Sequence, residues 1–294
     1  MGRPGGKGTQ FYLTGGRWRN YLGATDRSAR LHKAGLSPIL AVMPAPDASN
    51  PPALLASGVV KAYGTTPVLS GIGLSVPQGA SVGLVGLNGA GKTTFIKCML
   101  DFCSFESGTL EIFGASHALP AARARLAFVP ERFVPPYYLT CLEFINLTSS
   151  LAGLRIRPER IRQLCGDLGL ESATLERPVR QLSKGMTQKL GLAACLLVDK
   201  DLYVLDEPMS GLDPASRIAV KTVLSRLTEE GRTLFFTSHF LADVQELCSS
   251  IAVLNRGQIQ FYGPPDELCR RFGEPTLERA FMRCVHASEQ AIAA

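Results

Sequence analysis

The chain has 294 residues, of which 46% are hydrophobic and 19% charged, a balance typical of a folded globular protein rather than a disordered or fibrous one. Its net charge is +6, but residues 1–52 contain seven Lys/Arg and only two Asp, so residues 53–294 are close to neutral. A near-neutral body lacks the basic surface of a nucleic-acid-binding protein, and we expect no nucleic-acid partner.

The eight cysteines are scattered along the chain, without a CxxC pair or a Cys/His cluster at zinc spacing. This pattern favours reduced, buried thiols in a cytosolic protein. No apolar run approaches the roughly 18 residues of a membrane-spanning helix. If the protein serves a membrane process, we therefore expect a separate chain to cross the bilayer.

Residues 1–55 are rich in Gly, Pro, Arg and Ala and end in MPAPDASNPPA, which predicts a disordered arm or linker. Three interpretations stay open. One is a start assigned too early, with Met43 as the true start, and another is a nonspecific basic tail. A transit peptide is the third, and it is disfavoured because the segment has no clear amphipathic helix.

From Ala56 onward, short β-branched runs and turns predict antiparallel strands at residues 59–64 and 68–79. The sequence SVGLVG, residues 81–86, is continuously apolar and ends in glycine, as in a buried parallel strand. Residues 92–100 then have helical spacing. The first part of the fold is thus predicted to be sheet, followed by one helix.

The next predicted elements are a helical insertion at about residues 132–182, then alternating helices and strands. The alternating segments are residues 184–197 (helix), 202–205 (strand), 214–229 (helix), 233–237 (strand) and 241–248 (helix). Strands that alternate with helices predict an α/β fold with a parallel-sheet core, here with an antiparallel β flank. The last stretch, 274–294, is predicted to be a short helix and a frayed tail without an assigned role.

The segment GLNGAGKTT satisfies the phosphate-binding pattern G-x-x-x-x-G-K-[ST] after a predicted strand and before a predicted helix. In this pattern backbone N–H groups surround phosphates, Lys92 reaches the β- and γ-phosphates, and Thr93 binds Mg²⁺. A glycine-rich turn without a nucleotide is the alternative, and the Lys-Thr pair disfavours it. The predicted binding residues are Gly86, Leu87, Asn88, Gly89, Ala90, Gly91, Lys92, Thr93 and Thr94.

Two acidic residues follow the predicted strand at 202–205. Asp206 emerges where ligands bind in open α/β sheets, and it suits direct or indirect Mg²⁺ ligation. Glu207 can polarise an attacking water as a general base. An Asp-Glu pair after a strand is also a common solvated turn, so the prediction depends on the phosphate-binding motif upstream.

The sequence LSKGMTQKL, residues 182–190, precedes this strand and resembles the LSGGQ signature of ATP-binding-cassette (ABC) transporter ATP-binding subunits. The resemblance covers about residues 56–273 and implies a P-loop NTPase (RecA-like) fold for that segment. It also implies that Ser183 and Gly185 close over ATP held by a second subunit. A serine before a helix is by itself an ordinary N-cap.

Other positions match the same family. The sequence SGLD, residues 210–213, resembles the loop that links the two sites of the dimer, and TSH ends at His239, which matches the switch histidine that contacts the γ-phosphate. Tyr63 matches the aromatic residue that stacks on adenine. A lone His or Tyr is more often structural, so both roles are implied by the order of motifs only.

Three positions depart from the family pattern. Glu131 stands where a glutamine is usual, and it can ligate Mg²⁺ or water but cannot donate a hydrogen bond when ionised. Lys184 and Met186 replace a glycine and a glutamine of the signature. Neutral drift is one interpretation, but these variants occur together in the exporter-type branch of the family, whose ATPase and membrane subunits are separate chains.

The resemblance implies an ATPase that uses ATP and Mg²⁺, forms a head-to-tail dimer with itself or a paralogous subunit, and powers export through a separate transmembrane permease. The implied location is peripheral, on the cytoplasmic face of the inner or plasma membrane. A non-transport ABC ATPase acting on ribosomes or DNA is the alternative, disfavoured by the single uninterrupted cassette. A regulatory protein with a dead site is the third, disfavoured by the intact motif residues.

Overall fold

The computed structural model describes residues 50–293, which form two sheets flanked by helices. The arm predicted for residues 1–55 lies outside this range up to residue 49. The strands are β1 (Leu54–Tyr63), β2 (Thr66–Val76), β3 (Ser81–Val85), β4 (Ser107–Ile112), β5 (Ala115–Ser116), β6 (Leu126–Val129), β7 (Leu202–Asp206), β8 (Thr233–Ser238), β9 (Ser250–Asn255) and β10 (Gln258–Gly263). The helices are α1 (Lys92–Met99), α2 (Pro120–Arg123), α3 (Cys141–Leu151), α4 (Pro158–Asp167), α5 (Lys184–Leu197), α6 (Pro214–Glu229), α7 (Leu241–Leu247), α8 (Pro265–Phe272) and α9 (Leu277–Ala293).

The larger sheet has the strand order β10-β9-β3-β8-β7-β6, in which all neighbours are parallel except β10 and β9. Alternate side chains of its strands enter two different cores. On β7, for example, Tyr203 and Leu205 pack among the helices, whereas Leu202 and Val204 pack toward α1 and the smaller sheet. Because both faces are covered, the interior positions of the parallel strands are mostly apolar, as the sequence indicated.

The smaller sheet is antiparallel, with the order β2-β1-β4-β5. Its inward residues, such as Leu54, Ile72 and Leu74, are buried against the larger sheet's core. The predicted class, a parallel α/β core with an antiparallel flank, is therefore confirmed. Strand β1 begins at Leu54, five residues before the predicted start, because the segment LLA pairs with both β2 and β4.

The segment between β6 and β7 is helical, as predicted. Thr140 caps α3 through a reciprocal capping box with Glu143, and two short 3₁₀ turns at Ser172–Glu176 and Val179–Gln181 lead to α5. The bounds of α5 and α6 agree with the sequence prediction. Both helices have a polar N-cap, Ser183 and Asp213, that accepts a backbone hydrogen bond.

The C-terminal segment differs from its prediction, because it forms one 17-residue helix, α9, rather than a short helix with a frayed tail. Leu277 and Ala280 are fully buried against the rest of the fold, so tertiary packing stabilises the segment. Among residues 50–293, no helix combines the length and apolar character needed to cross a membrane.

Candidate active site

Most of the predicted site residues meet where adjacent parallel strands of the larger sheet end. The phosphate-binding loop follows β3, His239 follows β8, Asp206 and Glu207 end β7, and Glu131 follows β6. Because these four strands are neighbours, their carboxyl ends line one cleft of about 740 Å³. The residues of GLNGAGKTT, together with Tyr63, Glu131, Asp206, Glu207 and His239, all line it.

The loop before α1 has the geometry of an anion cradle. A Cβ on Gly86 would lie 2.3 Å from the carbonyl oxygen of Leu254, so only glycine fits there. Gly89 and Gly91 have positive φ values of 79° and 112°, which side chains disfavour. Helix α1 begins at the cleft, where Lys92 and Thr93 line it, and no side chain caps its first N–H groups, which leaves them open to an anion such as an ATP phosphate.

Lys92 is held at the base of this cradle. Its Nζ donates hydrogen bonds to the carbonyl oxygens of Gly86, at 2.7 Å, and Leu87, at 3.4 Å. Burial lowers the pKa of its ammonium group, while Glu207, Asp206 and Glu131 oppose that shift through their charges. A cation that lies in the cleft and is already hydrogen-bonded to the loop backbone is placed to contact phosphate oxygens.

Asp206 is only 2% exposed, yet both of its carboxylate oxygens are hydrogen-bonded. Thr93 Oγ1 donates to Oδ2 at 3.1 Å, and Thr237 Oγ1 donates to Oδ1 at 2.6 Å. A hydroxyl and a carboxylate at this spacing form the kind of oxygen donor set that Mg²⁺ prefers alongside phosphate and water ligands.

Glu207 is aimed across the cleft at His239. Its φ of 49° is left-handed, an unusual conformation for a residue with a side chain. Its backbone N–H donates to Thr237 Oγ1 at 2.9 Å, and its Oε2 lies 2.7 Å from His239 Nδ1. Since an ionised carboxylate only accepts, this contact places a proton on His239 Nδ1. The imidazole is thereby oriented by the carboxylate that it faces.

Tyr63 lies at the outer rim of the cleft with 49% of its surface exposed, and Lys61 Nζ is 5.1 Å from its ring centroid. An exposed ring next to the phosphate loop is accessible for stacking on a base.

Ser183 and Gly185 are not among the residues that line this cleft. Ser183 instead caps α5, with its Oγ accepting from Met186 N at 3.2 Å. Gly185 approaches Gly211, whose α-carbon is also covered by the side chain of Lys184. The signature segment and the SGLD loop therefore contact each other within one subunit, away from the phosphate loop.

Sequence reasoning assigned no role to several residues that the structure places at the site, among them Thr237 and Phe281. Thr237 is fully buried and connects Asp206 with Glu207. Its signal was its position in TSH, two residues before His239. Phe281 of α9 also lines the cleft, and no local pattern indicated it because it lies in the segment predicted as a tail.

Comparison with known proteins identifies the family. A family model described as ABC transporter matches residues 69–210. The Nod factor export ATP-binding protein I of Ralstonia nicotianae is 36% identical over 76% of this chain and 71% of its own length. The chain belongs to the ABC transporter family. An ABC transporter ATP-binding protein of Synechocystis sp. is 39% identical over 65% of this chain.

The fold comparison agrees with this family. A solved structure described as the ATP binding subunit of an ABC transporter superposes with a TM-score of 0.72 at 28% identity, covering 79% of this chain and 98% of that one. The ABC ATPase fold is therefore shared over nearly the whole of that solved subunit. By contrast, the sequence match to the Synechocystis relative spans only 55% of that relative's length.

Proposed function

We propose that this ABC protein is an ATPase subunit that powers export through a separate membrane-spanning permease. The observation that carries the proposal is the convergence, in one cleft, of the phosphate loop, Asp206, Glu207 and His239. Each would bind or act on a different part of an ATP molecule and its attacking water. The relatives are named as transporter or export ATP-binding proteins, which supports this function over that of a non-transport ATPase acting on ribosomes or DNA.

ATP would bind with its phosphates in the loop Gly86–Thr94 and its adenine on Tyr63. Backbone N–H groups and Lys92 supply positive charge to the phosphates, and the exposed ring of Tyr63 supplies a stacking surface. Thr93 and Asp206 would hold Mg²⁺, with Glu131 nearby, and the ion would neutralise charge on the phosphates. The buried contact of Thr237 with Asp206 keeps that carboxylate oriented.

Glu207 would act as the general base. Its carboxylate lies beside His239 at the end of β7. A water molecule in the cleft next to these two side chains would donate its proton to Oε2. His239, with its proton on Nδ1, would present its other nitrogen toward the γ-phosphate. The left-handed backbone of Glu207 is the conformation that points the side chain to this position.

A head-to-tail dimer would complete the site. Ser183 and Gly185 lie at the N-terminus of α5, outside their own subunit's cleft, and a second copy or a paralogous subunit would place its signature segment over the ATP. The helix dipole of α5 would then favour the γ-phosphate. ATP binding would close the dimer, and hydrolysis would open it.

The membrane partner would meet the helical segment 132–182, and this subunit would lie peripherally on the cytoplasmic face of the membrane. The Ralstonia relative is named as an export ATP-binding protein, and the variants Glu131 and Lys184 resemble the exporter-type branch. Closure of the ATPase dimer would thus move the permease between its two states.

Glu207→Gln tests the proposal directly. The amide cannot take a proton, so we expect the ATP hydrolysis rate of the purified protein to fall at least about a hundredfold. ATP affinity should stay nearly unchanged, and ATP should stabilise a dimer detectable by size-exclusion chromatography with light scattering. Hydrolysis at the wild-type rate would refute the assignment of Glu207.

Lys92→Ala is the contrasting variant, because it removes a charged phosphate donor rather than the base. We expect its ATP dissociation constant to rise about tenfold to a hundredfold in a calorimetric titration. Unchanged affinity would contradict the phosphate cradle, whatever the hydrolysis rate.

A further inference from the structure

Two thiols meet at the C-terminal end of α1. Cys98 lies in the last turn of the helix and is fully buried, whereas Cys103 is half-buried in the loop before β4. Their sulfur atoms are 3.6 Å apart, in van der Waals contact. The side chains therefore need only a small displacement to react with each other.

This pair is close to the nucleotide cleft. The hydroxyl of Tyr63 lies 3.9 Å from the Cys103 sulfur, and the contact raises the pKa of the Tyr63 phenol. Helix α1, which ends at the pair, begins with Lys92 and Thr93. The two sulfurs thus connect the helix that carries the phosphate-binding residues with the ring proposed to stack on adenine.

We propose that Cys98 and Cys103 form a peroxide-responsive thiol pair, and that their oxidation to a disulfide weakens ATP binding at Tyr63. The second part rests on the proposed function, since it concerns the affinity of the ATP site. A disulfide needs its sulfurs at about 2.05 Å, so they must approach by about 1.5 Å from their separation of 3.6 Å. That movement shifts the sulfur on which Tyr63 rests.

The oxidation balances with hydrogen peroxide as the oxidant. The thiolate of Cys103 attacks one peroxide oxygen, which breaks the O–O bond and gives a sulfenic acid and water. The Cys98 sulfur then displaces the sulfenic oxygen as a second water, forming the S–S bond. Two thiols and one peroxide thereby give one disulfide and two waters, and a dithiol reductant reverses the change.

Burial decides which thiol reacts with peroxide and which one resolves the sulfenic acid. Cys103 is the more exposed residue of the pair and therefore meets the oxidant first. Burial, together with the hydrogen bond to Cys103, raises the pKa of Cys98 to about 12, so Cys98 resolves the sulfenic acid rather than reacting with peroxide. Because the thiolate fraction of Cys98 grows with pH, the second step should accelerate between pH 7 and pH 9.

Peptide mass measures the bond itself. Both cysteines fall in one tryptic peptide, residues 98–123. After peroxide treatment of the full chain and alkylation, we expect this peptide to lack both alkyl groups and to weigh two hydrogens less than the reduced form. Cys98→Ser and Cys103→Ser should abolish the bond, whereas Cys269→Ser, which removes a half-buried thiol elsewhere, should retain it. A peptide alkylated at both cysteines after peroxide would overturn the proposal.

ATP affinity measures the consequence. We expect the dissociation constant of the oxidised wild type to rise about threefold to tenfold, the range for losing one aromatic contact, and a reductant to restore it. Tyr63→Ala should bind ATP more weakly in both states and show no response to peroxide. A disulfide that forms without changing ATP affinity would overturn the link to Tyr63. Reduced protein that binds no ATP would instead refute the proposed function, while the peptide result would still decide on the thiol pair.

Discussion

At the scale of single residues, Thr237 organises the acidic end of the site. Its hydroxyl donates to Asp206 and accepts from the backbone N–H of Glu207, and it is fully buried between them. One side chain therefore sets the position of the proposed metal ligand and of the proposed base. A buried hydroxyl that satisfies two partners is costly to remove, because both partners lose a hydrogen bond that an apolar side chain in its place cannot replace.

Thr237→Val keeps the shape of this side chain and removes its hydroxyl. We expect the free energy of unfolding to fall by about 1–3 kcal/mol in a urea titration, and ATP hydrolysis to slow because Asp206 and Glu207 are no longer aligned. Thr237→Ser is the matched control, since it keeps the hydroxyl and loses only a methyl group. Equal hydrolysis by the Val and Ser variants would show that the hydroxyl does not align the site.

The sequence predicted which residues would belong to the candidate site, but it did not predict their conformations. Lys92 and Asp206 stand in motifs that consist of a few consecutive residues, so the motifs are visible in the sequence. The left-handed φ of Glu207 and the contact of Thr237 with Asp206 depend on strands β7 and β8 lying side by side. Residues separated by some 30 positions in the chain carry no local signal of that pairing.

At the scale of elements, the β9–β10 hairpin connects the C-terminal helix to the phosphate loop. The N–H of Gly257 in its turn donates to the carbonyl of Ala90 at 3.1 Å. On the other side of the hairpin, the amide of Asn255 donates to Ser288 Oγ of α9 at 2.8 Å, and Asn255 is only 4% exposed. The hairpin is thus held between the loop and α9.

Asn255→Ala tests how much the buried hydrogen bond between Asn255 and α9 contributes to stability, and Arg256→Ala is its control. Asn255 is buried, so its loss leaves polar groups unpaired, and we expect the free energy of unfolding to fall by about 1–3 kcal/mol. The neighbouring Arg256 forms an exposed ion pair with Glu289, which is worth about 0–1 kcal/mol. Urea titration measures both variants. An equal or larger loss for Arg256→Ala would contradict the importance of the buried contact.

Some elements were predictable because their signals are local. Helices α5 and α6 each follow a polar N-cap, and α6 also has proline at its first position, so their bounds agreed with the prediction. The start of β1 and the length of α9 were missed. Both depend on burial by distant partners, β4 for the strand and the β9–β10 hairpin for the helix. The domain bounds 56–273 stay a prediction.

At the scale of the whole molecule, buried thiols make stability depend on pH. Burial raises the pKa of Cys195 and of Cys248 to about 12, whereas an unfolded chain would ionise them near their ordinary value. The folded state therefore holds more protons above pH 9, and stability must fall as pH rises from about 9 toward 12. Below pH 9 these thiols are protonated in both states and have no effect.

The expected size of this loss is about 1.4 kcal/mol per thiol at pH 10 relative to pH 7.5. Urea unfolding at the two pH values measures the total. Between pH 7.5 and pH 10, the free energy of unfolding of Cys195→Ala should fall by about 1.4 kcal/mol less than that of the wild type, because the variant lacks one of these thiols. An identical pH dependence in the variant would show that Cys195 is not held neutral by the fold.

The sequence by itself determined the family and the α/β fold class, and it predicted the phosphate-loop and acidic residues of the candidate site, because short motifs and side-chain periodicity indicate these features. The tertiary structure decided how they meet: the strand order β3-β8-β7-β6 brings four separate segments into one cleft and leaves Ser183 outside it. It also brought Thr237, Phe281 and the Cys98–Cys103 pair to that cleft or its edge. Strand order and helix docking are set by burial of apolar surface between distant segments, and a local sequence pattern does not indicate which segment covers a given apolar surface.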